Sequence, residues 1–300
     1  MTEAGWQELR FDTQQAAVEA LEDWLFAEGA LAVTLEDNAD EPLLEPGPGE
    51  TPLWQQVKVV ALFEAGRDLA PLLAAVPQEL IVACDDAARH VPDQDWVRAW
   101  EDQFHPMAMG DRLWVCPSWC EPPDPTAVNL RLDPGLAFGS GTHPTTAMCL
   151  KALDRLSQAG QTVIDYGCGT GILAIAALLL GAERALGIDN DPQAITASGN
   201  NAEANGIDPA RFVLSLPGTP EVTAWQSSAD VLVANILAGP LASLAPDIKA
   251  LLKPGGTLLM AGLLEPQAEA LIEVYAPECQ LRVADQIEEW VLLEGQFSPA

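Results

Sequence analysis

The stretch VIDYGCGTG, residues Val163–Gly171, decides the fold that we predict for this chain. An apolar run, Thr162–Ile164, leads to an acid at Asp165 and then to a turn with glycine at every second position; the apolar segment Ile172–Leu180 follows. This pattern predicts a buried strand, a glycine turn and a helix, an arrangement that brings a ligand close to bare backbone at a helix N-terminus. Glycine is needed where φ is positive or where a Cβ would collide with the ligand. We therefore expect a ligand site at this turn.

Strand and helix patterns alternate from about residue 160 to the end of the chain. Strands are predicted at 162–166, 185–188, 211–215, 231–234, 257–261, 281–284 and 289–293, and helices at 172–180, 192–205, 238–251 and 267–274. Such alternation is typical of an α/β fold with a doubly wound, mostly parallel sheet, which binds ligands at the carboxyl ends of its strands. The last two strands, joined by a short acidic turn, are expected to pair antiparallel.

The first third of the chain has a different order of elements. Strands are predicted at 6–11, 31–35, 57–63 and 80–83, with one helix from a cap at Asp12 or Thr13 to Ala27 and another at 69–75. The order β-α-β-β-α-β is that of a ferredoxin-like α+β unit. We expect a recognition domain at 1–92, a linker with a helix at 93–108, and a larger domain at 109–300.

Charge and composition limit the classes of partner and the cellular locations that we expect for this chain. The net charge of −30 divides equally between residues 1–100 and 101–300, so the first third is twice as densely acidic. Such a field repels nucleic acid and attracts a basic protein, although acidity also serves solubility. The N-terminus lacks a secretory signal pattern and no apolar run reaches the length of a membrane span, which favours a cytoplasmic protein without a membrane partner. The six cysteines and three histidines do not form a metal-binding pattern.

The glycine spacing and two acids point to a particular nucleoside. The turn reads GxGxG, whereas dinucleotide-binding turns read GxGxxG. We expect Gly167 and Gly169 to approach the ligand. Asp165 would repel a pyrophosphate but suits a cationic group. Asp189, at the end of the next strand, stands where a carboxylate accepts both hydroxyls of a ribose. A ribose together with a cation describes S-adenosylmethionine.

Two further segments belong to the expected site. Asn235 ends the strand that begins near Val231, and its amide oxygen could accept from a substrate amine and hold the nitrogen lone pair in line with the methyl–sulfur bond. The 14 residues 133–146 contain three glycines and two prolines, and such long loops are usually functional. Within this loop, Thr146 is a candidate contact for the cofactor. His143 is either a general base or a hydrogen-bonding residue of the loop.

Several stretches closely resemble the bacterial PrmA family, the methyltransferases of large-subunit ribosomal protein L11. They are 132–150, 163–175, 187–205 and 233–241, together with 45–51, 104–107 and 114–119. The glycine turn alone indicates a class I methyltransferase. The loop at 133–146 combined with Asn235-Ile236-Leu237 is more specific, since many amino-group methyltransferases have Asn-Pro-Pro-aromatic at this strand end.

The resemblance implies an S-adenosylmethionine-dependent protein N-methyltransferase. It implies cofactor contacts at Thr146, Gly167, Asp189 and Asn235, repeated methylation of lysine side chains and of the N-terminal α-amine, and a small N-terminal domain that grips the ribosomal protein. We expect a monomer. Methylation of another protein, of a small-molecule amine or of nucleic acid, and a non-catalytic binding role, stay open as alternatives. A nicotinamide dehydrogenase is disfavoured by the glycine spacing.

Overall fold

The structure, a computed structural model, describes residues 5–39, 52–85, 87–92, 104–133, 141–156, 159–276 and 278–299. The chain folds into two compact units, Met1–Asp102 and Gln103–Ala300. The predicted linker helix begins at Asp93, and all of it up to residue 103 lies outside the described residues. None of the helices in the described segments is both long and apolar enough to cross a membrane.

The first unit is an antiparallel sheet covered by helices. Its elements are β1 (Gly5–Gln14), α1 (Val18–Ala27), β2 (Ala32–Asp37), β3 (Gln56–Glu64), α2 (Ala70–Ala75), β4 (Ala83–Cys84) and β5 (Arg89–Pro92). The strand order is β2-β3-β1-β4, and β5 also pairs with β1. This is the order of a ferredoxin-like sheet, as predicted. Alternate side chains of β1 and β3, such as Leu9, Phe11 and Phe63, are fully buried and form one core with α1.

Two details of this unit differ from the prediction. Neither Asp12 nor Thr13 caps the first helix, because β1 continues through both: Asp12 forms an ion pair with Lys58 at 2.9 Å, and the Thr13 hydroxyl donates to the carbonyl of Leu80. The fourth strand was expected at 80–83. Leu80 instead ends a 3₁₀ turn, and the strand follows at β4 and β5, both antiparallel to β1.

The second unit follows the predicted alternation. Its elements are β6 (Met107–Ala108), β7 (Leu113–Cys116), β8 (Val128–Arg131), α3 (Pro144–Arg155), β9 (Thr162–Tyr166), α4 (Ile172–Leu179), β10 (Arg184–Ile188), α5 (Pro192–Ala204), β11 (Phe212–Ser215), α6 (Pro220–Thr223), β12 (Ala229–Asn235), α7 (Ala238–Ser243), α8 (Ala245–Leu251), β13 (Leu252–Leu264), α9 (Ala268–Tyr275), β14 (Arg282–Ile287) and β15 (Trp290–Gln296). The short strands β6, β7 and β8 form a small sheet of their own.

A seven-stranded sheet organises the second unit and confirms the predicted fold class. Its order is β11-β10-β9-β12-β13-β15-β14; the first five strands are parallel, and β15 pairs antiparallel with both β13 and β14. All five residues of β9 are buried, since helices cover both faces of the sheet. One apolar core lies on each face. The connections from β9 run towards β10 on one side, and β12 lies on the other, so the switch point that favours ligand binding is at β9.

Two boundaries of elements in this unit differ from the prediction. The helix predicted at 238–251 is two helices, α7 and α8, because Pro246 has no N–H with which to continue the helical ladder to Ala242. Residues 107 and 108, predicted to belong to the linker, form β6 and pair with Trp114 and Val115 inside the second unit.

Candidate active site

The carboxyl ends of β9, β10, β11 and β12 enclose a cavity of about 700 Å³, together with the start of α3 and residues of β13 and β15. This volume lies within the range of small-molecule sites, roughly 300–1,000 Å³. The lining is mostly apolar with a few polar groups: His143, Thr145, Tyr166, Gly167, Gly169, Ile188, Asp189, Asn190, Pro217, Asn235, Ile236, Leu237, Pro240, Leu244, Gly262 and Trp290. Four of the five predicted site residues are therefore in one cavity.

Backbone hydrogen bonds join the glycine turn to the end of β10. The amides of Gly167 and Cys168 both donate to the carbonyl of Ile188, at 2.7 and 3.0 Å, which ties the end of β9 to the end of β10. Gly167 has a φ of +80°, and a Cβ there would lie 2.2 Å from Cγ2 of Ile236. Both the conformation and the close approach require glycine at this position.

Asp189 is held by the glycine turn and by its own loop. Its Oδ2 accepts from the amide of Gly169 at 2.9 Å, and its Oδ1 accepts from the amide of Asp191 at 3.0 Å. Each carboxylate oxygen has a further lone pair for a ligand. Asp191, two residues later, caps α5 by accepting from the amide of Gln193 at 2.8 Å. The two acids thus have separate tasks, and Asp189 is the one that lines the cavity.

Asp165 lies beneath the turn and is not among the residues that line the cavity. Its side chain is completely buried, and Oδ2 accepts from the amide of Ala174 in the first turn of α4 at 3.1 Å. Burial is the main cause that raises its pKa, to about 7, and the nearby charge of Asp189 adds to the effect. Asp165 was expected beside a ligand cation. In the structure its carboxyl group instead contacts the N-terminal turn of α4.

Asn235 and Thr146 form a pair across 89 residues of sequence. The Asn235 Nδ2 donates to the Thr146 hydroxyl at 3.1 Å, which orients the amide. Thr146 is fully buried and lies behind Asn235, whereas its neighbour Thr145 lines the cavity. The Oδ1 of Asn235 is shielded from solvent and has no hydrogen-bond partner among the described residues. A buried amide oxygen without a donor is costly, so this atom is suited to a ligand N–H.

His143 begins α3 rather than standing free in a loop. Its Nδ1 accepts from the amide of Thr145 at 3.3 Å and lies 2.7 Å from the hydroxyl of Thr145, so the ring caps the helix. Burial lowers its pKa, against the opposing effect of Glu289 and Glu288. With Nδ1 used as an acceptor, the neutral ring carries its proton on Nε2, and the role of general base is disfavoured. Of the loop that precedes it, residues 134–140 lie outside the described residues.

The cavity has the features that S-adenosylmethionine requires. Asp189 offers a carboxylate for ribose hydroxyls, Ile188, Pro217 and Leu244 offer apolar surface for a base, and the glycine turn exposes backbone. Asn235 also lines the cavity, and its Oδ1, which has no partner among the described residues, is suited to accept from a substrate donor. The residues present therefore fit this cofactor.

Tyr166, Pro217 and Trp290 are among the lining residues that the sequence did not predict. Tyr166 and Pro217 stand at or just after the ends of parallel strands, so the rule that found Asp189 could have found them. Trp290 begins β15, which runs antiparallel to β13, and pairs with Leu264. Its start therefore lies at the carboxyl edge of the parallel strands, a placement that follows from the strand order alone.

Comparisons with known proteins show the family to which the chain belongs. The family model described as "Ribosomal protein L11 methyltransferase (PrmA)" matches residues 5–298. A "Ribosomal protein L11 methyltransferase" of Actinobacillus pleuropneumoniae serotype 5b (strain L20) is 51% identical over 292 residues, which cover 97% of this chain and 98% of that protein. One of the same name from Pseudomonas aeruginosa (strain LESB58) is 51% identical over 294 residues, with 97% and 98% covered.

A solved structure is similar as well. The crystal structure of "ribosomal protein L11 methylase" from Lactobacillus delbrueckii subsp. bulgaricus has a TM-score of 0.57 and 31% sequence identity to this chain, and the match covers 65% of this chain and 100% of that one. The family match spans nearly every described residue and both units. The chain belongs to the PrmA family of ribosomal protein L11 methyltransferases.

Proposed function

We propose that this protein transfers methyl groups from S-adenosylmethionine to amino groups of ribosomal protein L11, on lysine side chains and on the N-terminal α-amine. The names of its relatives support the methyltransferase activity and the protein substrate. The choice of amines rests on the chemistry of the cavity. We further propose that it acts in the cytoplasm as a monomer and does not bind nucleic acid directly.

The observation that carries the proposal is the buried Oδ1 of Asn235, a residue that lines the cavity; this oxygen has no hydrogen-bond partner among the described residues. An amine N–H donates to this oxygen, which fixes the direction of the nitrogen lone pair. Thr146 holds the amide so that Oδ1, and not Nδ2, faces the amine. Orientation of this kind contributes strongly to rate in displacement reactions. When bound, S-adenosylmethionine supplies a methyl group on a positively charged sulfur.

Asp189, Gly167 and Gly169 hold the cofactor in this proposal. Asp189 accepts from the ribose hydroxyls while its oxygens keep their bonds to the amides of Gly169 and Asp191. Thr146, which the resemblance implies as a contact, acts through Asn235. A lysine amine must be neutral to react, and the apolar walls lower the pKa of an ammonium that enters, so that its proton passes to solvent.

The first unit is proposed to recognise the ribosomal protein. Residues 1–100 contain 20 acids and five bases, which gives this part of the chain an excess of 15 negative charges. Such a surface attracts a basic protein and speeds its association at low salt. We propose residues 1–92 as the recognition domain and 109–300 as the catalytic domain, joined by 93–108, of which residues 107 and 108 pair with the second unit as β6.

Incubation with purified L11 and isotopically labelled S-adenosylmethionine tests the function. We expect label on lysine and N-terminal amines, located by mass spectrometry of the digested protein. L11 whose amines have been acetylated is the matched control and is expected to stay unlabelled. Label in acetylated L11 would contradict amine methylation. Label confined to another protein or a small-molecule amine in cell extract would contradict the substrate.

A further inference from the structure

Trp290 presents an aromatic ring to the same cavity as Asn235 and Asp189. As the first residue of β15 it pairs with Ile287 on one side and Leu264 on the other, and its side chain is partly exposed. Pairing on both sides fixes its backbone. A rigid, partly exposed indole in a ligand cavity is suited to contact a bound molecule.

His143 holds this indole in place. The two ring centroids are 5.0 Å apart with an interplanar angle of 70°, an edge-to-face arrangement. Because His143 also caps α3, its ring cannot turn freely. The indole also packs in part against the apolar core of the second unit, and the part of the ring that lines the cavity is available to a ligand.

The turn before Trp290 is acidic and strained. Glu288 and Glu289 form the two-residue link between β14 and β15, and both are exposed. Glu288 has a φ of +54°, in the left-handed region that favours glycine. A positive φ is what a two-residue hairpin link requires, so this strain comes with the tight turn. The two carboxylates place negative charge beside Trp290, and they influence His143 electrostatically.

We propose that the Trp290 ring binds the ammonium form of the substrate amine and retains it between successive methyl transfers. This inference rests on the proposed amine methylation. Each transfer turns an amine into an ammonium that bears one more methyl group, and its proton must pass to solvent before the next transfer. A methylated ammonium is weakly hydrated and binds to the face of an indole through the ring quadrupole. Glu288 and Glu289 add attraction for the same charge.

Binding of matched peptides to the full chain, saturated with S-adenosylhomocysteine, tests the inference without turnover. One peptide carries Nε-trimethyllysine, and the other carries its neutral carbon isostere of the same shape. Wild type is expected to prefer the charged peptide by roughly tenfold. W290L is expected to lose this preference, and W290F to keep part of it. W119L, which changes an exposed tryptophan outside the cavity, is the matched control and is expected to behave as wild type.

A second variant and a second readout guard against misfolding of W290L. E288Q combined with E289Q leaves the ring intact and is expected to weaken binding of the charged peptide only. In methylation of excess L11, W290L is expected to release more mono- and dimethylated product than wild type. An unchanged charge preference in W290L, or none in wild type, would overturn the inference. Failure of wild type to methylate L11 amines would instead overturn the proposed function, because peptide binding requires no reaction.

Discussion

Replacing Gly167 with alanine tests the reasoning about the glycine turn most directly. The new Cβ would stand 2.2 Å from Cγ2 of Ile236, far inside van der Waals contact, and φ at this residue is +80°. Two separate penalties are therefore expected. One comes from the left-handed backbone and the other from the collision.

The structure allows the two penalties to be separated. Gly206 has a φ of +66°, and no atom lies within 4 Å of the position that a Cβ would take there, so Gly206→Ala measures the backbone penalty alone, about 1–2 kcal/mol. Gly167→Ala adds overpacking against Ile236, about 1–3 kcal/mol. We expect a total loss of about 2–5 kcal/mol in the free energy of unfolding of the second unit. Ile236 lines the cavity, so its displacement is also expected to weaken cofactor binding.

Urea denaturation and calorimetric titration with S-adenosylhomocysteine provide the measurements. Gly206→Ala is expected to lose stability but to keep its affinity for the ligand, whereas Gly167→Ala loses both. Adding Ile236→Ala to Gly167→Ala removes the colliding methyl group and is expected to recover the overpacking part, measured against Ile236→Ala alone. The reasoning is refuted if Gly167→Ala costs no more than Gly206→Ala, or if Ile236→Ala brings no recovery.

Further substitutions test the roles of the acids and of the Asn235 amide. Asp189→Ala removes the carboxylate proposed for the ribose and is expected to lower the affinity for S-adenosylhomocysteine by roughly 10²-fold or more. Asp191→Ala removes only a helix cap, so it is expected to cost about 1 kcal/mol of stability and to leave the affinity near that of wild type. Equal affinities of the two variants in titration would contradict these roles. Asn235→Ala is expected to slow methyl transfer without lowering the cofactor affinity, and Thr146→Val is expected to reproduce part of this effect. Single-turnover kinetics would measure both rates. Loss of cofactor binding alone in Asn235→Ala would contradict the role proposed for the amide. Burial raises the pKa of Asp165 from 3.8 to about 7, so the folded chain binds a proton that the unfolded chain has released. Stability relative to Asp165→Asn is therefore expected to fall as pH rises from about 4 to about 7, and urea midpoints that differ by a constant amount over this range would contradict the assignment.

Local sequence patterns were sufficient for most strands of the large sheet in the second unit. The glycine turn after Ile164 and the regular alternation of apolar runs predicted the sheet, because a strand buried on both faces has a continuous apolar sequence. Gly167, Gly169 and Asp189 could be assigned for the same reason, since each follows a strand end. The predicted ends of helices were less accurate where a single residue interrupts the backbone hydrogen bonds, as Pro246 does between α7 and α8.

The sequence by itself therefore determined the fold class, the family resemblance and several of the strand ends that line the cavity. Only the tertiary structure decided which side chains face the cavity. It placed Asp165 under the turn, at the start of α4, and put Thr146 behind Asn235. It also brought Trp290, from the final antiparallel strand, to the cavity. These positions depend on which strands pair with one another. Local sequence patterns do not specify that pairing, because a residue's neighbours in sequence do not determine its neighbours in the sheet.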